Sequence, residues 1–208
     1  NVLQNWKVGL SSELAASPVV VLANMAPANQ LEMLAQCTGP GRFVLADTMD
    51  LWIEIARKEL EEVLAGIDLL VINETEAREY AGSTNLVTAG NLLRAKGPEY
   101  VVIKLGEFGA ILFAPPECNH GLFRCGAFPL SEVADPTGAG DTFLGAMAGY
   151  LASLGTTDYR FEQIRDAVVR GTVMASFTCE AFSTRRIEEL SELELLERLE
   201  IFREMSCW

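Results

Sequence analysis

Residues 135–146, DPTGAGDTFLGA, join a glycine turn to the start of a helix that is rich in small residues. Gly138 and Gly140 have no side chain, so the backbone at these positions can take positive φ and turn its N–H groups inward. The helix that we predict to start near Asp141 brings the positive end of its dipole to the same place. The turn is therefore predicted to hold an anion.

Two common phosphate-binding loops do not fit this turn. A Walker A loop would continue with Gly-Lys-Ser or Gly-Lys-Thr, and no such triplet follows Gly140. The dinucleotide fingerprint would need its third glycine at position 143, which is Phe143, whereas the next glycine is Gly145. The anion site needs another explanation.

Asp141 indicates which reaction the turn could support. A carboxylate beside an anion site repels the phosphate unless it has a task there, and accepting a hydroxyl proton is such a task. The N–H groups of Gly138, Ala139 and Gly140 would then stabilise charge on a transferring phosphoryl group. The alternative is an Asp that merely caps a closely packed helix.

The rest of the chain alternates short apolar runs with amphipathic stretches, as in parallel sheets covered by helices on both faces. Strands are predicted over residues 19–23, 43–46, 69–72 and 100–103. Helices are predicted between them over residues 28–37, 51–64, 74–80 and 86–96. Beyond Lys104 we expect a glycine turn, two or three strands at an antiparallel sheet edge, and helices over residues 141–154, 161–177 and 187–205. Residues 1–208 are interpreted as one α/β domain.

Polar residues close the four parallel runs, namely Asn24, Asp47, Asn73 and Lys104. Ligands of open parallel sheets bind beyond the carboxyl ends of the strands, so these side chains are predicted to line one crevice. Helix capping explains the Asn and Asp residues without a ligand. Lys104 would meet a phosphate in this crevice, or else be a solvated charge at a strand end.

Two further patterns lie near the predicted crevice. Asn73 and Glu76 are three residues apart at a helix start and offer the oxygen ligands that Mg²⁺ takes beside nucleotide phosphates. Simple helix capping explains Asn73 equally well, and Glu74, Glu76 and Glu79 could form a solvated acidic face. Gly106 and Gly109, in KLGEFGA, allow the backbone to approach a ligand, or simply form a tight hairpin turn.

Composition excludes several classes of protein. The chain has 29 acidic and 16 basic residues and a net charge of −13, and no basic run is present, so nucleic acid is not an expected partner. No apolar run approaches the roughly 20 residues of a membrane span, and no secretory signal opens the sequence, so we expect a cytoplasmic protein without membrane partners. The five scattered cysteines fit reduced thiols.

Cys118, His120 and Cys125 form the one suggestive metal cluster. Their spacing matches no common zinc pattern, and they offer three ligands in a Pro- and Gly-rich loop. We interpret the segment as a surface loop.

The sequence resembles the ribokinase-like (PfkB-type) carbohydrate kinases. DPTGAGDTFLGA resembles the second signature of that family, NETE at residues 73–76 its Asn-x-x-Glu magnesium motif, and LGEFGA at residues 105–110 its glycine turn on the nucleotide side. The three motifs occur in the family's order, and the resemblance runs from about Leu22 to the C-terminus. It implies a three-layer α/β/α fold with a mainly parallel central sheet.

The resemblance also implies roles for particular residues. Asp141 would be the catalytic base, residues 138–140 the anion hole, and Asn73 and Glu76 would act near Mg²⁺, through water. Lys104, Gly106, Gly109 and Thr137 would border ATP, with the adenine near the helix that contains residues 171–176. Asp135 matches an aspartate that arranges a monovalent-cation site in some relatives.

The sequence departs from the family at its front. By resemblance, full-length relatives have about ninety more residues there, which carry sugar-gripping groups and most of a lid, so we expect an N-terminally truncated domain. Asp47 is then the best remaining substrate-side candidate, and Asp50 and Trp52 could reach the cleft. A homodimer of the full-length protein is a further expectation.

Three hypotheses follow from the sequence. The first is an ATP-dependent kinase that phosphorylates a hydroxyl of a sugar or, alternatively, of a nucleoside. The second is a nucleotide-binding fragment without catalysis, because the sugar-gripping half is missing. The third is a dinucleotide-dependent oxidoreductase, which is supported only by the sheet pattern and the glycines.

Overall fold

The computed structural model describes residues 6–206 and contains one sheet of six strands in the order β1-β2-β3-β4-β5-β6. The strands are β1 Val19–Leu22, β2 Phe43–Asp47, β3 Leu69–Asn73, β4 Tyr100–Lys104, β5 Ala110–Phe113 and β6 Leu122–Cys125. Strands β1 to β4 run parallel, whereas β5 and β6 pair antiparallel with their predecessors. The predicted parallel sheet with an antiparallel edge is confirmed.

Helices cover both faces of this sheet. In the described range they are α1 Ser12–Ala15, α2 Pro27–Gln36, α3 Asp50–Ile55, α4 Arg57–Leu64, α5 Glu74–Ala81, α6 Leu86–Arg94, α7 Ala139–Ser153, α8 Phe161–Thr178, α9 Arg185–Glu188 and α10 Glu192–Ser206. Side chains of α7 and α8 pack on one face of the sheet, and those of α2, α4, α5 and α6 pack on the other. The predicted three-layer α/β/α arrangement is confirmed.

Alternation along each strand divides the core between the two faces. Leu45 and Val71 point towards α7 and α8, whereas Val44 and Ile72 point towards the opposite layer. Every residue of β2 is buried, which explains the continuous apolar run in the sequence, because a strand covered on both faces has no solvent side.

The prediction of one continuous helix over residues 51–64 is wrong, because the structure has two helices there. The helix breaks at Ala56, whose φ of −136° is not helical, and the pieces are α3 and α4. The guanidinium of Arg57 lies 4.4 Å from the ring centroid of Tyr80 and donates to the Tyr80 carbonyl oxygen. This contact joins the start of α4 to α5, 23 residues further along the chain, and no local sequence pattern predicts it.

The predicted helix over residues 187–205 is also two helices, α9 and α10. Ser191 and Glu194 form a reciprocal cap: the Glu194 N–H donates to the Ser191 hydroxyl, and the Ser191 N–H donates to the Glu194 carboxylate. The sequence Ser-x-x-Glu is the standard signal for such a helix start, so the boundary was present in the sequence and was missed.

Helices α7 and α8 pack closely beside the sheet. A Cβ at Gly171 of α8 would lie 2.9 Å from the Phe143 carbonyl oxygen of α7, so only glycine allows this approach. No helix within residues 6–206 combines the length and the apolar character that a membrane span needs.

Candidate active site

The glycine turn begins helix α7 in the way that an anion site requires. Gly138 is the N-cap and has a φ of 83°, a left-handed conformation that favours glycine. Within the described residues, the N–H groups of Gly138, Gly140 and Asp141 have no hydrogen-bond partner. The Ala139 N–H, in contrast, already donates to the Pro136 carbonyl oxygen at 3.1 Å. The free donors therefore include two of the three predicted groups, those of Gly138 and Gly140, and the N–H group of Asp141 takes the place of that of Ala139.

Lys104 supplies a cation at the same turn. It is the last residue of β4, and its ammonium nitrogen lies 2.9 Å from the place that a Cβ of Gly140 would occupy. A side chain at position 140 would compete with this ammonium group. The glycine thus permits a positive charge and a helix N-terminus to face one small volume.

These groups lie at one end of a cavity of about 620 Å³. The polar end is lined by Asn73, Lys104, Gly106, Gly109, Ala139 and Gly140. The other walls include Phe128, Leu130, Thr172, Ala175, Ser176 and Cys179. The lining therefore combines a cationic, glycine-rich part with a largely apolar part that includes Phe128, Leu130 and Ser176 and is called the apolar end below. This combination suits a ligand with a phosphate tail and an apolar ring. The predicted adenine helix contributes Thr172 and Ser176, whereas no sequence pattern pointed to Phe128.

Asp141 is exposed in the first turn of α7 and directly follows Gly140, which lines this cavity. The neighbouring Thr142 accepts a hydrogen bond of 2.8 Å from the hydroxyl of Thr178, which ties the start of α7 to the end of α8. The position of Asp141 is thus fixed by its helix, while its carboxylate is open to solvent and ligands.

Asp47 lies within the electrostatic field of the same groups. Burial raises its pKa to about 6, against an opposing effect of Lys104, and the negative charges of Asp141 and Glu76 raise it further. The side chain is only 7% exposed, and its Oδ1 has no hydrogen-bond partner, nor has the neighbouring Thr48 hydroxyl. Buried polar atoms without partners are rare in folded proteins. Asp47 is therefore a candidate for contact with a bound group.

A buried amide fixes the backbone at this point. The side-chain nitrogen of Gln30 lies 3.2 Å from the carbonyl oxygens of Leu22, Ala23 and Asp47. It thereby joins the ends of β1 and β2, and no pattern in the sequence singled it out.

Asn73 caps α5, as the alternative to a metal site expected, and Glu76 joins it in a reciprocal capping box that the sequence analysis did not predict. The Asn73 side-chain oxygen accepts from the Glu76 N–H at 2.9 Å, and the Glu76 carboxylate accepts from the Asn73 N–H at 3.0 Å. Burial raises the pKa of Glu76, although the hydrogen bond from Asn73 and the charge of Lys104 lower it. Both roles are compatible, because Asn73 lines the cavity while it caps α5.

Asn24 does not join the group predicted at the strand ends. Its side-chain oxygen accepts from the Trp52 indole at 2.9 Å, and its amide contacts the sulfur of Met49. Trp52 is half-buried and is bonded to Asn24, and it is not among the residues that line the cavity. Asp50 raises the pKa of Glu76 through its charge, which puts it near the polar end of the cavity.

The two glycines after β4, Gly106 and Gly109, differ in why a glycine is needed at their positions. Both have positive φ and both line the cavity. A Cβ at Gly109 would lie 2.1 Å from the Cys125 carbonyl oxygen, whereas a Cβ at Gly106 would meet nothing within 4 Å. Gly109 is therefore required by the β4–β5 hairpin itself, and Gly106 leaves open space beside the cavity.

Asp135 shapes the turn before α7. Its carboxylate accepts from the Thr137 N–H at 3.0 Å, and this bond lowers the pKa of Asp135. The bond explains an aspartate here without a cation, so the monovalent-cation site stays a prediction. Thr137 is exposed beside the free N–H groups of the turn.

The cysteine and histidine cluster is not a metal site in this structure. Cys125 is buried against the Thr172 hydroxyl, and Cys118 is half-buried. Across residues 6–206, no three His, Cys, Asp or Glu side chains are arranged to hold a metal ion together.

A glycine turn at a helix start, a lysine against it and a carboxylate at its rim, all at the carboxyl edge of an α/β sheet, are features of phosphoryl-transfer enzymes. Residues 11–190 match the pfkB family of carbohydrate kinases, and the chain belongs to this family. The resemblance found in the motifs is thereby confirmed.

Two curated relatives carry the names of specific kinases. The chain is 30% identical to the cytidine kinase of Thermococcus kodakarensis over 151 residues, which are 69% of this chain and 51% of that protein. It is 35% identical to the ribokinase of Arabidopsis thaliana over 92 residues, which are 42% of this chain and 24% of that protein. The chain thus spans about half or less of the length of these relatives.

Solved structures show the same fold. The structure of Arabidopsis thaliana ribokinase complexed with ribose and ATP has a TM-score of 0.72 at 22% identity, and the match covers 94% of this chain and 61% of that one. Ribokinase from Thermotoga maritima has a TM-score of 0.69 at 23% identity, with 90% and 58% covered. The fold is therefore ribokinase-like.

Proposed function

We propose that this chain is the nucleotide-binding and catalytic part of a kinase that transfers the γ-phosphoryl group of ATP to a hydroxyl of a sugar. One observation carries the proposal: the ammonium of Lys104 lies against Gly140, in a turn where the N–H groups of Gly138 and Gly140 are free, and Asp141 follows directly in the first turn of α7. The cavity behind them, lined by Thr172 and Ser176, has room for a nucleotide.

In the proposed reaction, Asp141 acts as the base. The acceptor hydroxyl oxygen attacks the γ-phosphorus, its proton passes to the Asp141 carboxylate, and the bond to the β–γ bridging oxygen breaks, so that ADP leaves with the bond's electron pair. The free N–H groups of the turn and the Lys104 ammonium stabilise the charge on the transferring group. Gly106, Gly109 and Thr137 border the nucleotide in this arrangement.

The acidic groups near the cavity fit a magnesium ion. Asp47 and Glu76 are oxygen donors whose pKa values are raised by burial, and Asp47 has one carboxylate oxygen without a partner. Asn73 and Glu76 would hold the ion through water, since their capping bonds leave further lone pairs free. When bound, Mg²⁺ offsets the charge of the phosphates. Asp47 would offer its free oxygen to a substrate hydroxyl or to that water.

A nucleoside is the second candidate acceptor. The observation in its favour is that the relative from Thermococcus kodakarensis is named a cytidine kinase and aligns with 69% of this chain. The relative from Arabidopsis thaliana is named a ribokinase. Both acceptors present a ribose hydroxyl, so the chemistry proposed for Asp141 is the same in the two cases.

The test combines binding and turnover on one preparation of the 208-residue chain. Isothermal titration with ATP and Mg²⁺ measures binding, and a coupled ADP assay with ribose or cytidine measures transfer. We expect Asp141→Asn to lower turnover by about 10² to 10⁴ while it leaves ATP affinity nearly unchanged. Asp158→Asn, at a loop outside the cavity, is the matched control and should behave as the original chain.

Other outcomes would separate the rival hypotheses. ATP binding without turnover on either acceptor would support a nucleotide-binding fragment. Thermal protection by NAD and none by ATP would support an oxidoreductase. Equal loss of binding and turnover in folded Asp141→Asn would contradict the role of base.

A further inference from the structure

One wall at the apolar end of the cavity is a segment, residues 127–133, that makes no hydrogen bonds to the rest of the described structure. Residues 127–133 connect β6 to the turn before α7, and Phe128, Leu130 and Val133 of this segment line the cavity. In the described structure, no hydrogen bond is made by any residue from 127 to 133. Something other than backbone pairing must therefore fix this wall.

The C-terminal helix supplies that anchor through Phe128. The Phe128 ring packs against Phe202 of α10, with 6.3 Å between ring centroids, and the guanidinium of Arg198 lies 4.8 Å from the Phe128 centroid. Both partners come from α10, which has no residue among those that line the cavity.

Arg198 also reaches the opposite wall. Its Nη1 donates to the hydroxyl of Ser176 at 3.0 Å, and its guanidinium lies 3.5 Å from the centroid of Phe177. Ser176 lines the cavity from α8. One side chain thus touches both the unpaired segment and the helix that together form the apolar end.

The charge of Arg198 is balanced locally. Its side chain is 16% exposed, and its Nη2 is bonded to the carboxylate of Glu180. The other oxygen of Glu180 accepts from Arg186 at 3.1 Å, so Glu180 keeps a cationic partner if Arg198 is replaced. A neutral replacement of Arg198 therefore removes the wall contacts without leaving a buried charge unpaired.

We propose that Arg198 is a positioning residue for the nucleotide site, which acts by holding Phe128 and Ser176 at the apolar end of the cavity. The inference rests on the proposed function, because it takes the cavity to be the ATP site. Only a planar guanidinium with several donors can stack on Phe128 and Phe177 while it bonds both Ser176 and Glu180. The phosphate end, at Lys104 and Gly140, is not touched by Arg198.

This division of the cavity allows a test that distinguishes a local effect of Arg198 on the nucleotide site from a general loss of stability. ATP spans both ends, whereas inorganic tripolyphosphate needs only the phosphate end. Affinities of both, each with Mg²⁺, are measured by titration calorimetry on the 208-residue chain. We expect Arg198→Met to weaken ATP binding by about tenfold and to leave tripolyphosphate binding unchanged.

Three companion variants sharpen the result. Arg203→Met, on the same helix with a side chain 63% exposed, should alter neither affinity. Arg198→Lys keeps the charge but loses the planar fork, so it should recover only part of the ATP affinity. Phe128→Ala changes the segment itself and provides the same comparison of ligands if Arg198→Met does not fold.

The double variant Arg198→Met with Phe128→Ala tests the link between the two residues. If Arg198 acts through Phe128, the double variant should lose little more ATP affinity than the weaker-binding single variant. Unchanged ATP affinity in a folded Arg198→Met protein, or equal weakening of ATP and tripolyphosphate, would overturn the proposal. An original chain that binds tripolyphosphate but not ATP would overturn the proposed function and this inference together.

Discussion

The ammonium nitrogen of Lys104 and the backbone of Gly140 are so close that a Cβ on residue 140 would lie 2.9 Å from that nitrogen. The strand end and the helix start are 36 residues apart in the chain, yet they meet beyond the sheet's carboxyl edge. In the proposed function this pair forms the phosphate end of the site, so its disruption should affect ligands more than folding.

Gly140→Ala should displace the flexible end of Lys104 and weaken binding of ATP with Mg²⁺ by roughly tenfold, since a charged hydrogen bond contributes about 1.5 to 3 kcal/mol. Stability should not fall, because alanine favours the helix by up to about 1 kcal/mol. Calorimetric titration and urea unfolding measure the two effects. Gly145→Ala, on the same helix with open space around it, is the control and should leave ATP affinity unchanged. Equal affinity in both variants would contradict the role of the Lys104 contact.

Asp47 should make the stability of the protein depend on pH in a defined direction. Its pKa rises from 3.8 in the unfolded chain to about 6 in the folded protein, so the folded state binds the proton more tightly. The stabilising effect is complete below pH 4 and is lost as pH rises through 6, by an amount of about 3 kcal/mol. Urea unfolding of the original chain and of Asp47→Asn, from pH 4 to pH 8, isolates this contribution. The variant should gain relative stability with pH, and a constant difference would show that the pKa of Asp47 is not raised.

Glu76 allows capping and cation binding to be separated. Glu76→Gln keeps an oxygen that accepts the Asn73 N–H, so the free energy of unfolding should change little, whereas Glu76→Ala should lose about 1 kcal/mol. Both variants remove the carboxylate charge and should weaken the Mg²⁺ dependence of ATP binding by roughly tenfold. Urea unfolding and ATP titrations at several Mg²⁺ concentrations provide the comparison. An unaltered Mg²⁺ dependence in Glu76→Gln would leave Glu76 with its capping role alone.

The hairpin glycines should differ in their tolerance of a side chain. Gly109→Ala would bring its Cβ to 2.1 Å from the Cys125 carbonyl oxygen at a φ of 92°, and should cost more than about 3 kcal/mol of stability. Gly106→Ala, with a φ of 58° and open space, should cost about 1 kcal/mol. Urea unfolding measures both, and similar losses would contradict the packing described for Gly109.

Much of the fold could be predicted from the sequence because its signals are local. The runs that form β1 to β4 are continuous and apolar, since both faces of those strands are buried. The glycine turn and the helix start that follows it are both recognisable within a few residues. The break at Ala56 could not be predicted in this way. The residue that follows the break, Arg57, contacts Tyr80, which is far away in the sequence.

The residues of the candidate site also fall into those that local sequence signals predict and those that only the tertiary structure brings together. The sequence by itself determined the glycine turn, the carboxylate of Asp141, and Asn73 at a helix start, because each depends on residue types at short, fixed spacing. Only the tertiary structure brought Lys104 against Gly140, excluded Asn24 from the group, and placed Arg198 between Phe128 and Ser176. Those relationships depend on which strand ends and helices become neighbours, and packing across the whole sheet decides that.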